Sequence, residues 1–108
     1  MLPKEHRLKK NSDFVRVISG GTKSKIGPFL FFLNPGTEKM RVGVVVSKKV
    51  AKLAVVRNHI RRVIQHSLRE NLDVIAERTG DGVIMVLSLP AEDMKATAQK
   101  AVDQWLKK

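Results

Sequence analysis

Two short apolar runs, RVGVVVS at residues 41–47 and VIMVLS at 83–88, flank a segment whose apolar residues recur with a different period. Within it Val56, Ile60, Val63, Ile64 and Leu68 fall on one stripe of a helix, and Asn58, Arg61, Arg62, Gln65 and Arg69 fall on the opposite stripe. Apolar runs of this length without alternation read as strands covered on both faces. Strand, amphipathic helix, strand in this order implies a parallel pair when both strands join one sheet, because parallel neighbours need a long crossover. Handedness cannot be read from the pattern.

The remaining segments fit an α+β sandwich around that unit. Asn11, Ser12 or Asp13 can cap a first helix in which Phe14, Val17 and Ile18 repeat at helical spacing and Gly20-Gly21 ends the run. Residues 29–33, PFLFFL with its leading proline, are too short for a helix and rich in β-formers. Phe29 and Phe31 point to one face of that strand and Phe32 to the other. The Asn34-Pro35-Gly36 sequence predicts a loop that pairs this strand with residues 41–47 in a hairpin, with extra pairing near residues 23–25. Gly80-Asp81-Gly82 reads as a turn before the strand at 83–88, which Pro90 stops. Residues 91–107 read as a final helix with Met94, Ala98, Ala101, Val102 and Trp105 on its apolar stripe and Glu92 and Asp93 at its positive end. The expected order is helix, strand, strand, helix, strand, helix in one domain, residues 1–108.

Charge is distributed unevenly along this frame. Residues 1–69 carry 16 basic and 3 acidic side chains, whereas 70–108 carry 5 and 7. Between Glu38 and Glu70 there is no acidic residue, while Lys39, Arg41, Lys48, Lys49, Lys52, Arg57, Arg61, Arg62 and Arg69 accumulate with nothing in the local sequence to neutralise them. A segment that repels itself in this way suits a polyanion, nucleic acid ahead of a membrane surface, with a solvated helix face as the plain alternative. The longest apolar runs are far short of the about 20 residues that span a bilayer, and no apolar secretory segment follows the basic start, so a soluble intracellular protein is expected. With no cysteine, disulfide scaffolds and Cys-ligated metal sites are excluded.

Catalytic constellations are poorly supported. The acidic residues are scattered at spacings suited to solvated surface and helix caps, not to paired carboxylates. His59 and His66 lie two turns apart on one helix with no preceding acid to orient an imidazole, which favours surface or nucleic-acid-facing positions over metal ligation. No Gly-rich phosphate loop is present. Binding chemistry reads better. Arg57, Arg61 and Arg62, with Asn58 between them, place guanidinium groups at spacings suited to successive phosphate oxygens and ribose hydroxyls, and Lys48, Lys49 and Lys52 add charge just before. Phe32 and Phe14 can line a sheet face for stacking an unpaired base, although buried core is the ordinary fate of a strand phenylalanine.

The run SKKVAKLAVVRNHIRRVIQHSLRE, residues 47–70, resembles the protein component of bacterial ribonuclease P, whose pattern is a strand ending in Ser-Lys-Lys, a short loop, and Arg-Asn-Arg opening a basic helix. LKKNSDFVRVISGG, RVGVVVS, VIMVLS and the tail are similar to further parts of that family, so the likeness covers nearly the whole chain. It implies a fold like the second domain of a small-subunit ribosomal protein with a left-handed strand-helix-strand crossover. It also implies a cytoplasmic subunit of an endoribonuclease that removes the 5′ leader of precursor tRNA. It further implies that the catalytic RNA and Mg²⁺, held mainly by that RNA, carry the chemistry, with no catalytic residue and no metal ligand expected in the protein. The implied partners are that RNA and precursor tRNA, with no membrane and no obligate protein partner. The resemblance assigns RNA contacts to Lys48, Lys49, Arg57, Asn58, Arg61 and Arg62, and a leader cleft to Phe14 and Phe32; the charge reading adds Lys52 and Arg69 to the expected RNA-binding set, and Ile18 joins the expected leader cleft. The chain departs from the pattern at His59, at Gln65, at Ala51 in place of a glycine, at Ile18 where an aromatic is common, and by one extra residue between Lys49 and Arg57. The alternatives from the residues alone are a general or ribosomal RNA-binding module and a DNA-binding repressor, the latter without a helix-turn partner for its helix.

Overall fold

The run at residues 83–86 has apolar side chains on both faces, and a strand of that kind is most stable at the centre of a sheet. In the computed structural model, which describes residues 2–89 and 93–107, it is central. Helix α1 (Asn11–Gly20) leads into strands β1 (Thr22–Ile26), β2 (Phe29–Lys39) and β3 (Arg41–Val46). Helices α2 (Ala54–Arg69) and α3 (Leu72–Ala76), strand β4 (Thr79–Val86) and helix α4 (Met94–Leu106) complete the α+β fold. The sheet order is β1-β2-β4-β3, with β1–β2 and β2–β4 antiparallel and β3–β4 parallel. The parallel pair with α2 in its crossover is as the periodicity predicts.

The expected hairpin between residues 29–33 and 41–47 does not form. Burying both faces of β4 places it between those two strands, and the chain crosses from one side of β4 to the other at Met40, whose N–H donates to the Arg78 carbonyl at 3.1 Å. Asn34-Pro35-Gly36 is accordingly no turn. β2 runs through it to Lys39, and the register with β4 shifts between Asn34 and Lys39, an irregularity that accommodates a proline without a ladder donor. The hairpin partner of β2 is β1, through Gly27-Pro28: Gly27 takes φ +58 and proline fixes the next φ, the pattern of a two-residue II′ turn. Gly80-Asp81-Gly82 likewise lies inside β4. The first helix has Lys10 at its N-cap without a side-chain hydrogen bond, so none of the three suggested caps serves. Of the tail, α4 begins at Met94 with Asp93 accepting from the Lys95 N–H; Pro90, Ala91 and Glu92 lie outside the described residues.

Side chains alternate across the sheet into two apolar clusters. Phe29, Phe31, Val44, Val46, Ile84 and Val86 face α2 and α4, where Ile60, Ile64, Leu68, Val102 and Trp105 cover them. Phe32 and Val83 face the other way, under Leu8 and Val17. Helix α1 crosses the strands on that second face. Its Phe14 ring lies against Gly43 of β3, and Gly21, just past its end, sits beside the Leu33 carbonyl of β2.

One flank of α1 is tied to the sheet by ions. Asp81, 9% exposed, accepts from Arg16 at 2.6 Å and from Arg41 at 3.0 and 2.9 Å, and Asp13 lies 3.3 Å from Arg16. Arg41 is therefore neutralised, as Lys39 is by Glu5 at 3.8 Å, and Asp81 is not the solvated carboxylate expected from its spacing. Burial pushes the Asp81 carboxyl upward, but hydrogen bonds and charge from Arg41 and Arg16 outweigh it and hold the group below the ordinary carboxylate range. A depressed folded-state pKa stabilises the fold above the unfolded value, and that contribution is lost as pH falls through the folded value, here below about pH 4. Asp81→Asn is expected to cost about 2 kcal/mol at pH 7, below the about 3–5 kcal/mol of a fully buried broken pair because both arginines keep access to water. That corresponds to a melting temperature lower by about 10 °C. The difference from the wild type should shrink in acid; thermal melts at pH 7 and pH 3 measure both effects.

Candidate nucleic-acid interface

The helical period places Asn58, Arg61, Arg62 and Gln65 opposite the buried stripe, and the fold turns that face toward the start of α1. A cleft of about 560 Å³ opens there, lined by these four residues on one wall and by Arg7, Leu8, Lys9 and Phe14 on the other, with Gly43 and Val44 of β3 at its floor. The chain before α1 is held along the edge of β3: Arg7 bridges Val42, the Leu8 N–H donates to the Val42 carbonyl at 3.2 Å, and buried His6 bonds the Met40 carbonyl through Nδ1 at 2.7 Å. Arg7 and Lys9 were not singled out by sequence. Their signal was the basic start of the chain, which carries no helical or strand period to give it direction. Desolvation, then repulsion from Lys4 and Arg7, holds the Lys9 ammonium below its ordinary value, as expected where cations crowd together.

Helix α2 runs unbroken over Ala54–Arg69 and carries Arg57, Arg61, Arg62 and Arg69 on one continuous element. Among the described residues no carboxylate is in salt-bridge contact with Arg57, Arg61 or Arg62, nor with Lys48, Lys49 or Lys52. Arg61 donates to Asn58 Oδ1 and Arg62 Nε to the Asn58 carbonyl at 3.4 Å, so Asn58 aligns both guanidinium groups. The Gln65 side-chain oxygen is buried in the same cleft without a hydrogen-bond partner among the described residues.

Arg57 has a different place. Its Nη1 donates to the Ala51 and Lys52 carbonyls at 3.0 and 2.7 Å, so it orders the loop that carries exposed Lys48, Lys49 and Lys52. Arg57→Ala should release this loop and raise tryptic cleavage at those lysines, which limited proteolysis measures. Arg69 is exposed in the last turn of α2, away from the cleft lining. His59 and His66 face a groove toward α4 with Arg62, Val63 and Lys95, and His66 lies 3.3 Å from Glu70.

The cleft continues beside α1. Asn11, Phe14, Val15 and Ile18 form a wall over Val44, Val45 and Val46, with Arg61 at the rim, in a trough of about 360 Å³. Phe14 and Ile18 are thus brought together as expected. Phe32 is not: it is 3% exposed and packed under α1 with Val17 and Val83, because α1 crosses directly over its position. A side chain so covered offers no face to a base.

The family described as Ribonuclease P matches this chain over residues 2–108. The ribonuclease P protein component of Dictyoglomus turgidum is 39% identical over 94 residues, covering 86% of this chain and 76% of the relative. The chain belongs to the ribonuclease P protein family. A second member, from Staphylococcus carnosus, is 32% identical over 109 residues, covering 98% of this chain and 91% of the relative. Among solved structures, the RNase P protein of Staphylococcus aureus superposes with a TM-score of 0.73 at 26% identity, covering 96% of this chain and 94% of that one. The RNase P protein of Thermotoga maritima has a TM-score of 0.77 at 24% identity, with 94% of each chain covered, and shows the same fold. Among the described residues no helix is long and apolar enough to cross a membrane.

Proposed function

We propose that this protein is the RNA-binding subunit of a ribonuclease P, gripping the catalytic RNA with α2 and the preceding loop and holding the single-stranded 5′ leader of precursor tRNA beside α1. The observation that carries this reading is the cleft in which the uncompensated Asn58, Arg61 and Arg62 face meets the apolar trough of Phe14, Val15 and Ile18. Guanidinium groups bind phosphate oxygens in fork geometry, and an apolar trough accepts bases that are not paired.

Cleavage itself is assigned to the RNA and Mg²⁺. Among the described residues no three of His, Cys, Asp or Glu gather, and the buried carboxylate Asp81 faces the guanidinium groups of Arg16 and Arg41. The residues of this chain bind and orient; Arg57 and Asn58 position the other cations. Reconstitution tests the reading. The purified protein alone should leave precursor tRNA intact, and added to its RNA it should lower the Mg²⁺ requirement and strengthen binding as the leader lengthens. Cleavage by the protein alone would overturn the assignment of chemistry to the RNA, and binding indifferent to the leader would favour a general RNA-binding module. The comparison must be made at one salt concentration, since neutralising about six phosphates changes affinity by orders of magnitude between low and physiological salt.

A further inference from the structure

Strand register sets out what lies on the α1 face of the sheet in rows. One row, Lys23–Phe32–Val83–Gly43, runs beneath α1, and its two inner apolar residues are sealed. The next row, Lys25–Leu30–Met85–Val45, lies beside the helix: Leu30, Met85 and Val45 are half-buried, packed on the cluster under α1 on one side and open on the other. The trough walled by Ile18 and Val15 reaches this row at Val45. Three strand spacings of about 4.8 Å make the row about 14 Å long. The helix walls the row at its β3 end, where Val15 and Ile18 stand over Val45, and from there runs toward Leu33 of β2.

The far end of the row is charged. Ile26 and Ser24 pair with Phe29 and Phe31 and so face the α2 and α4 side, which puts Lys23 and Lys25 on the α1 face of the edge strand. Both are exposed, and among the described residues neither is in salt-bridge contact with a carboxylate. An apolar shelf with Arg61 at one end and two lysines at the other matches the alternation of an unpaired nucleic-acid strand, bases on the shelf and phosphates at its ends.

Resting on the proposed function, we infer that Lys25 and Lys23 form a second phosphate clamp, at which the distal part of the leader leaves the protein after crossing Val45, Met85 and Leu30. The occupant is a single RNA strand, because the shelf is apolar and flanked by cations at both ends. Edge-strand lysines also deter strand pairing between molecules. That role has no dependence on leader length, so leader length separates the two.

The test uses the reconstituted holoenzyme with precursor tRNAs whose leaders have two or eight nucleotides, comparing wild type with the exposed double variant Lys23→Ala/Lys25→Ala. The expected result is about tenfold weaker binding of the long-leader substrate and unchanged binding of the short one and of the catalytic RNA. The salt dependence for the long leader should fall by about 1.4 in slope, at about 0.7 per phosphate on a single strand. Because the chain has no cysteine, Lys25→Cys carrying a photo-crosslinker should attach to leader nucleotides farther from the cleaved bond than Ile18→Cys does. Equal losses for both leaders, no loss, or crosslinks confined to mature tRNA would overturn the inference. So would a loss accompanied by a change in oligomeric state, which would give the shelf to a second copy of the chain. A wild-type holoenzyme indifferent to leader length would instead overturn the functional reading on which the inference rests.

Discussion

Replacing Arg61 and Arg62 together by alanine is expected to weaken assembly with the catalytic RNA by about 100-fold or more, while the melting temperature moves by no more than about 2 °C. Among the described residues each guanidinium is hydrogen-bonded to Asn58; Arg62 is exposed on the side of α2 away from Ile60, and Arg61 is half-buried at the flank of the apolar stripe. Removing them leaves no buried group unsatisfied, and surface changes of that kind stay within about 0.5 kcal/mol of neutral. On RNA each would make a charge-assisted hydrogen bond worth about 1.5–3 kcal/mol, so the lower bound for two is about 3 kcal/mol, or a hundredfold. The two share Asn58, so the single variants should not sum to the double. Binding by filter retention at fixed salt, with a thermal melt beside it, measures both quantities. An unaltered affinity would remove α2 from the RNA interface; a large loss of stability would mean that the helix face is packed and not presented.

Phe32→Ala is expected to act in the opposite way, destabilising the fold by about 3–4 kcal/mol. For a domain near 100 residues that is a melting temperature lower by about 15–25 °C. The ring is 3% exposed beneath α1, held with Val17, Leu8 and Val83, and truncation leaves a cavity that the crossing helix cannot close without losing its seat on Gly43. Leader affinity and RNA assembly should then decline together as folded protein is lost, and both should return when the assay is run well below the lowered melting point. Weaker leader binding with unchanged stability would restore Phe32 to the trough. Phe14 contrasts with it: half-buried at the mouth of the cleft, it can lose its ring with a smaller effect on stability and a direct effect on the strand that passes it.

Much of this was legible because period translates directly into facing. Residues 54–69 separate into a buried stripe and a basic stripe by the 3.6-residue repeat alone, and the helix occupies those bounds in the structure. The alternation of strand side chains separates Phe29 and Phe31 from Phe32 with equal certainty. The resemblance at residues 47–70 identified the family. What misled were signals with a strong local preference and no knowledge of neighbours. Asn34-Pro35-Gly36 has turn chemistry but is drawn into β2, and Gly80-Asp81-Gly82 into β4, because burying both faces of β4 outweighs either local preference. Asp81 looks like one more surface acid until Arg16, 65 residues away, is brought against it.

By its pattern of charge and apolar spacing the chain alone determined that a parallel strand pair carries a basic helix, that the basic face has no local acid to quench it, and which side chains share a face of each element. Tertiary structure alone decided how α1 crosses the sheet. That crossing sealed Phe32, left Leu30, Met85 and Val45 open along its flank, and aligned them with lysines of an edge strand far away in sequence. The reason is physical: facing within an element follows from backbone geometry and is local, whereas which faces meet depends on burying the largest apolar surface over the whole chain.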